Sequence, residues 1–192
     1  MDLETLEEIR QLKYRYLRCV DEKLWDELAD VLTPDATIDY GTRVYGKPLT
    51  FTGRDDLIAF FRANLGPGIN TVHAAGQPEI TVDGAAAAGT WRFQDTVIAA
   101  EHRVVIVGSA FYQDRYQRCA DGQWRISHTG YTRTYEAMMS LDDLPSLRFI
   151  AGPAPLLATT AKAARDTAKA AGDTAKEPAT GDGASGADAA VR

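Results

Sequence analysis

Cysteine is scarce in this chain. Its two cysteines, Cys19 and Cys119, lie far apart and belong to no CxxC spacing. Neither a zinc site nor a disulfide framework is therefore indicated. We accordingly expect no metal ion in the functional site.

Long apolar runs and a surplus of basic residues are also missing. No stretch approaches the roughly 20 apolar residues of a membrane span. The acidic N-terminal sequence MDLETLEEIR lacks the basic region of a secretory signal. The net charge of −6 argues against a nucleic-acid groove or an anionic membrane surface. We therefore expect a cytoplasmic protein with no nucleic-acid or membrane partner.

Apolar residues are numerous enough for one well-packed domain, since 45% of the 192 residues are hydrophobic. After Pro153 the composition shifts to Ala, Thr, Lys, Gly and Asp, and the triplet TAK recurs every seven residues. A coiled coil is an alternative for this segment, but its repeat offers only alanines where large apolar side chains should lie. We predict one domain over residues 1–150 and a mostly disordered tail over residues 151–192.

Helical periodicity comes first along the chain, and extended patterns follow. Apolar spacing predicts helices over residues 3–20, 24–32 and 55–63, the second of which should be stopped by Pro34. Two short strands, ATIDYG and PLTFTG, precede the third helix. Short connections suited to antiparallel hairpins then join four long extended segments, over residues 71–82, 86–100, 103–118 and 123–135. This order predicts an α+β fold with helices on one face of a strongly bent sheet.

Two polar residues of the first helix stand at unexpected positions. Asp21 lies where the helix should end, and the partial negative charge of a helix C-terminus disfavours a carboxylate there. Tyr16 lies on the buried stripe, where an inward hydroxyl needs a partner. The alternative for Tyr16 is a core residue whose hydroxyl reaches the edge of the core.

Asp95 is unusual because strand alternation in WRFQDTVI places it on the apolar face, together with Trp91, Phe93 and Val97. A carboxylate there is costly unless it is hydrogen-bonded or has a chemical role. A register slip or a bulge that returns Asp95 to solvent is the alternative.

The three histidines differ in their surroundings. His73 opens the first long strand after a glycine-rich loop, and it is either a structural residue or a base. His102 occupies a hairpin turn, which favours a solvated position. His128 shares a face with Trp124 and Ile126, and its role stays open.

An imidazole, a buried carboxylate and a phenol are together the reagents of proton transfer. No nucleophile elbow, phosphate loop or HExxH helix accompanies them in this sequence. The residues therefore favour cofactor-free proton transfer in an apolar cavity.

Several segments carry a family resemblance, in the order KYRYLRCVDEKLWDEL, FTGRDDLIAFF, VHAAGQPEITVD, WRFQDTVI and AFYQDRYQRCADGQWRISHTGYTR. Over about residues 6–136 the chain resembles the SnoaL-like branch of the nuclear transport factor 2-like (NTF2-like) superfamily. Within that branch it is similar to the bacterial bile acid 7α-dehydratases and, more distantly, to the scytalone dehydratases. The resemblance implies a conical barrel in which a mainly antiparallel, strongly curved sheet and three N-terminal helices enclose an apolar pocket.

The resemblance also implies a catalytic set, namely Tyr16, Asp21, His73 and Asp95. We expect His73, oriented by Asp95, to remove an acidic proton next to a carbonyl group. Tyr16, assisted by an Asp21 that faces the pocket mouth, should donate to the departing hydroxyl or polarise the carbonyl. The predicted function is a cofactor-independent dehydratase acting on a hydrophobic substrate such as a 3-oxo-steroid, a bile-acid-like compound or a polyketide.

The expected substrate contacts are the aromatic residues Trp91, Phe93 and Tyr112. Three other functions stay open: an isomerase or polyketide cyclase of the same fold, a non-catalytic binding module, and a structural protein whose tail recruits a partner. Both faces of RVVIVGSAF are apolar, and together with the resemblance this favours a homodimer or a homotrimer.

Overall fold

The computed structural model describes residues 2–144, 146–154 and 156–158. Helices α1 (Leu3–Glu22) and α2 (Trp25–Val31) come first, and α3 (Arg54–Asn64) follows two strands. The strands are β1 (Leu32–Tyr40), β2 (Leu49–Thr52), β3 (Ile69–Asp83), β4 (Ala86–Ala99), β5 (Val104–Arg118) and β6 (Trp124–Ser140). Within the tail predicted over residues 151–192, Leu156 is buried. Residues 159–192 lie outside the described residues, so the tail and its boundary stay a prediction.

The strands form one six-stranded sheet in the order β2-β1-β6-β5-β4-β3. β1 and β6 run parallel, and every other neighbouring pair is antiparallel. The predicted α+β fold with a mainly antiparallel sheet and N-terminal helices is therefore confirmed.

Helix α1 covers the sheet with an apolar stripe, as its periodicity predicted. Asp2 caps the N-terminus, accepting a hydrogen bond from the backbone of Glu4 (3.1 Å). The buried stripe includes Ile9, Tyr16 and Val20. The helix ends at Lys23, whose left-handed backbone (φ 63°) turns the chain toward α2.

Helix α2 ends earlier than predicted, because Leu32 is already extended and opens β1. Pro34 therefore does not stop the helix but lies within the strand. It falls between Leu32 and Thr37, where the register against β6 shifts. A proline, which has no N–H to donate, is tolerated at such an irregularity.

Register shifts bend the long strands around a cavity. One lies in β3 between Gly76 and Glu79, and two more interrupt the pairing of β5 with β6. Bulges of this kind increase the local twist and bend of a strand. Helix α1 packs against β3 and β6, and α3 packs against β1 and β2.

Candidate active site

A cavity of about 470 Å³ lies between the concave face of the sheet and helices α1 and α3. This volume lies within the range of pockets that bind drug-sized ligands, about 300–1,000 Å³. Aliphatic and aromatic side chains make up most of its wall. Three sets of interacting polar groups lie in or beside it.

One row of residues crosses four strands on the concave face. Cross-strand pairing aligns His73 of β3 with Asp95 of β4, Asp95 with Gly108 of β5, and Gly108 with Glu136 of β6. Directly paired residues point to the same side of a sheet. His73, Asp95 and Glu136 accordingly all line the cavity. The predicted placement of Asp95 on the apolar face is confirmed, since Asp95 is 7% exposed.

The first polar set joins His73 to the end of helix α1. Asp21 Oδ1 lies 2.5 Å from His73 Nδ1, and the backbone N–H of His73 donates to Asp21 Oδ2 at 2.9 Å. Thr71 Oγ1 donates to Asp21 Oδ1 at 2.8 Å. A carboxylate at this position favours the imidazole tautomer that carries its proton on Nδ1 and leaves Nε2 free to accept one.

These bonds correct the prediction that Asp95 orients His73, because the orienting carboxylate is Asp21. They also correct the prediction that Asp21 faces the pocket mouth, because Asp21 is turned toward His73 and is not part of the cavity wall. Burial alone would raise the pKa of the Asp21 carboxyl, but the hydrogen bonds from His73 and Thr71 hold this pKa below its ordinary value. These hydrogen bonds explain why the Asp21 carboxylate lies at the C-terminal end of α1, where the helix dipole disfavours a negative charge.

Lys23 extends this first set. Its ammonium group donates to Thr71 Oγ1 at 3.1 Å and to the carbonyl of Val20 at 3.3 Å. An ammonium group can only donate, so the hydroxyl of Thr71 accepts from Lys23 and directs its own proton to Asp21. The direction of each hydrogen bond in the chain from Lys23 to Asp21 is thereby fixed.

The second polar set is an ion pair between Asp95 and Arg133. Arg133 Nη1 and Nη2 donate to the two oxygens of Asp95 at 2.5 and 2.8 Å. Nη2 also lies 3.0 Å from Glu136 Oε1. Sequence reasoning missed Arg133, although a buried Asp95 implied that some basic partner exists. No sequence signal identified which of the chain's basic residues would lie opposite it.

The third polar set is a pair of phenols at the helical side of the cavity. The hydroxyl groups of Tyr16 and Tyr40 are hydrogen-bonded to each other, and both rings line the cavity. This corrects the prediction that Asp21 assists Tyr16, and Tyr40 was not anticipated. Burial raises the pKa of both hydroxyl groups, so each keeps its proton at neutral pH. In such a pair one hydroxyl donates to the other, and the second is free to donate to a ligand oxygen.

The predicted substrate contacts are divided between the cavity wall and the core. Tyr112 lines the cavity, whereas Trp91 and Phe93 are fully buried and do not. Trp91 donates to the hydroxyl of Tyr116 at 2.8 Å. Phe93 lies parallel to the His73 ring, with 5.6 Å between centroids. Trp91 is therefore a core residue, and Phe93 is a core residue that stacks on the His73 ring.

The other two histidines lie apart from the His73 pair. His102 is exposed in its turn, as predicted, and contributes to the cavity rim. His128 follows a bulge in β6 that breaks the expected alternation, and its Nδ1 lies 2.8 Å from Thr37 Oγ1. It does not line the cavity.

Within residues 2–144 and the short described segments after them, no three His, Cys, Asp or Glu side chains are grouped so as to bind a metal ion. Across the part of the chain that the structure describes, no helix is long and apolar enough to span a bilayer.

Comparison with known proteins gives both sequence relatives and structural neighbours. An uncharacterized protein of Mycobacterium tuberculosis strain H37Rv is 33% identical over 134 residues, which cover 69% of this chain and 87% of that protein. A hexachlorocyclohexane dehydrochlorinase, LinA-type3 from Novosphingobium barchaimii, superposes with a TM-score of 0.62 at 19% identity and covers 78% of this chain and 96% of its own. A candidate scytalone dehydratase from Novosphingobium aromaticivorans gives a TM-score of 0.62 at 19% identity, with coverages of 70% and 87%.

At such identities the two structures show a shared fold. The family model of the SnoaL-like domain matches residues 1–130 of this chain. These residues contain α1, α2, α3 and the strands as far as the middle of β6. The chain therefore belongs to the SnoaL-like family of the NTF2-like superfamily, as its sequence motifs predicted.

Proposed function

We propose that this protein is a cofactor-independent dehydratase that eliminates water from a hydrophobic substrate with a hydroxyl group β to a carbonyl. The observation that carries the proposal is the Asp21–His73 pair, in which the carboxylate lies 2.5 Å from Nδ1 of an imidazole on the cavity wall. A histidine held in this way presents Nε2 as a general base.

In the proposed reaction, His73 Nε2 takes the proton from the carbon next to the carbonyl. The C–H electron pair becomes the new C=C bond as the C–O bond to the β hydroxyl breaks. The imidazolium then returns the proton to the departing oxygen, which leaves as water. Asp21 stabilises the imidazolium while it carries the proton.

Tyr16 and Tyr40 suit the role of hydrogen-bond donors to the substrate carbonyl. Their raised pKa disfavours full loss of a proton, so polarising the carbonyl fits them better than protonating the leaving group. Because one base both removes and returns the proton, the hydrogen and the hydroxyl must leave from the same side of the substrate.

The names of two structural neighbours support an elimination. One is a candidate dehydratase and the other a dehydrochlorinase, and both names describe the removal of two groups from adjacent carbons. The substrate class predicted from the sequence, such as a 3-oxo-steroid, a bile-acid-like compound or a polyketide, is part of the proposal. The predicted homodimer or homotrimer is also proposed, and it is supported by Val72 (61% exposed) and Phe111 (41% exposed) on the outer sheet face.

Turnover of a panel of hydroxylated 3-oxo-steroids and polyketides tests the proposal by mass spectrometry. The wild type should give a product lighter by one water molecule. His73→Gln and Asp21→Asn should each slow its formation by about 10² to 10⁴. His128→Gln is the matched control, since this histidine lies outside the cavity. Full turnover in His73→Gln would rule out the proposed mechanism.

An isomerase is the second candidate, and the same observation favours it. An imidazolium formed at His73 could return its proton to a different carbon of the enolate. The product would then keep the mass of the substrate. Mass spectrometry of the same reactions therefore separates the two functions.

A further inference from the structure

The charged groups of the cavity wall do not balance. Arg133 is the single lysine or arginine among the described residues that line the cavity, and it meets two carboxylates there, Asp95 and Glu136. The formal charge of this cluster is therefore −1, from one guanidinium and two carboxylates. Any anionic ligand must enter an apolar cavity whose one guanidinium is already outnumbered.

Both terminal nitrogens of the Arg133 guanidinium are already paired with protein carboxylates. Nη1 and Nη2 each donate to one oxygen of Asp95, and Nη2 also lies close to Glu136 Oε1. The guanidinium carbon lies 4.7 Å from the centroid of the Tyr131 ring. Nε is buried and has no hydrogen-bond partner among the residues that the structure describes. A ligand carboxylate therefore has to compete with Asp95 or Glu136 for the terminal nitrogens of Arg133.

Glu136 is fixed in position from its other side. Its Oε1 accepts from the hydroxyl of Thr42 at 2.7 Å, and its Oε2 accepts from the backbone N–H of Arg43 at 2.8 Å. Both donors belong to the segment that follows β1. The Glu136 side chain is 14% exposed. These bonds hold the carboxylate against Arg133 and prevent it from turning away to admit a ligand.

Gly108 gives the cluster the space it occupies. It pairs with Asp95 on one side and with Glu136 on the other. A Cβ atom at this position would overlap Arg133 Nη1 and would lie 2.8 Å from Asp95 Oδ1. The ion pair therefore fills the place that a side chain would take in the centre of the sheet.

We propose that Glu136 determines specificity by occupying Arg133, so that the cavity accepts uncharged ligands and rejects carboxylates and other anions. The inference deepens the proposed function, on which it rests for taking this cavity as the substrate site. The substrate would then carry hydroxyl and carbonyl groups but no free carboxylate, phosphate or sulfate.

Two fluorescent probes of equal ring size test this inference by binding alone. Methyl 2-naphthoate is uncharged, and 2-naphthoate is an anion at pH 8. The wild type should bind the ester and reject the acid by at least about 100-fold in Kd. Glu136→Gln should bind the acid at least about tenfold more tightly than the wild type does and bind the ester equally well. Glu101→Gln is the matched control, because it removes the same charge beside His102 without a contact to Arg133.

Thr42→Val provides a second variant that keeps the charge of Glu136 but removes one of its anchors. It should raise the affinity for the acid to a value between those of the wild type and Glu136→Gln. Unchanged ester binding reports that each variant is folded. Equal binding of acid and ester by the wild type would overturn the inference, as would failure of the ester to bind or failure of Glu136→Gln to improve acid binding. None of these outcomes involves turnover, so they are distinct from a failure of the proposed reaction.

Discussion

Asp21 and His73 are joined by two hydrogen bonds, one from the imidazole Nδ1 (2.5 Å) and one from the backbone N–H of His73 (2.9 Å). The first selects the tautomer of the ring and the second fixes the strand against the helix end. The same carboxylate thus positions the base and anchors β3 to α1.

Replacing Asp21 by asparagine should separate these two effects. The asparagine side chain keeps an acceptor for the backbone N–H, but its amide NH₂ can donate to Nδ1 and so stabilise the opposite tautomer. We expect elimination to slow by about 10⁴, the cost of the wrong tautomer in a comparable pair. Long-range ¹H–¹⁵N spectra report the tautomer directly, and His102→Gln and His128→Gln assign the signals. An Nδ1–H tautomer that persists in Asp21→Asn would contradict this explanation.

Thr71 should matter for the ionisation of Asp21. Thr71→Val removes one donor to the carboxylate, and the folded protein should lose about 1 kcal/mol of stability at neutral pH. Hydrogen bonds lower the pKa of Asp21 in the folded state. The contribution of Asp21 to the free energy of unfolding is therefore complete at a pH above its ordinary pKa of about 3.9, and it is lost as the pH falls through the lower pKa of the folded state. Urea unfolding between pH 2.5 and 7 measures both effects. Thr71→Ser, which restores the hydroxyl, should recover most of the loss, and a similar defect in both variants would exclude this role.

A buried ion pair lies beneath the cavity floor. Lys13 Nζ is 2.7 Å from Asp114 Oδ2, both side chains are fully buried, and Asp114 also accepts from Tyr116 and Thr129. Removal of one partner leaves an uncompensated charge, so Lys13→Met and Asp114→Asn should each cost about 3–5 kcal/mol. The double variant should cost less than the sum of the two. Urea unfolding provides all three values, and additive costs would show that the two charges do not stabilise each other.

Strand and helix positions were predictable because they depend on local patterns. The alternation in β4 predicted a buried Asp95, and the helical stripe predicted a buried Tyr16. The end of α2 was not predictable from Pro34, because the strand accommodates this proline at a shift of register. The position of His128 was missed for a similar reason, since a bulge in β6 reverses its face.

The pairing of the site residues could not be predicted from local patterns. Asp95 lies directly across from His73 in the sheet, yet its side chain turns to Arg133 across the space above Gly108. Asp21 reaches His73 because α1 ends over β3. Both contacts depend on how a helix and a curved sheet meet, which the spacing of residues along one strand does not encode. The alternation in β4 predicted that Trp91 and Phe93 are buried. It did not predict that both side chains lie in the core and outside the cavity wall.

Buried tyrosines should give this protein a steep loss of stability at alkaline pH. Burial raises the pKa of several phenols, among them those of Tyr16, Tyr40, Tyr112, Tyr116 and Tyr131. Their folded pKa lies above the unfolded value of about 10, so their contribution to stability is complete below that pH. Above it the unfolded chain releases protons that the folded chain keeps, and each tyrosine should lower the free energy of unfolding by about 1.4 kcal/mol per pH unit.

Tyr112→Phe tests this relation with a small change, because it removes only a hydroxyl group from a buried ring. Between pH 10 and 11.5, urea unfolding should give a slope that is less steep than that of the wild type by about 1.4 kcal/mol per pH unit. Tyr135→Phe is the control, since Tyr135 is 52% exposed and meets water in both states. Equal slopes for the wild type and Tyr112→Phe would mean that the hydroxyl of Tyr112 loses its proton as readily in the folded protein as in the unfolded chain. The interior around Tyr16 and Tyr40 would then be wet enough to weaken their proposed role as fixed donors to a carbonyl oxygen.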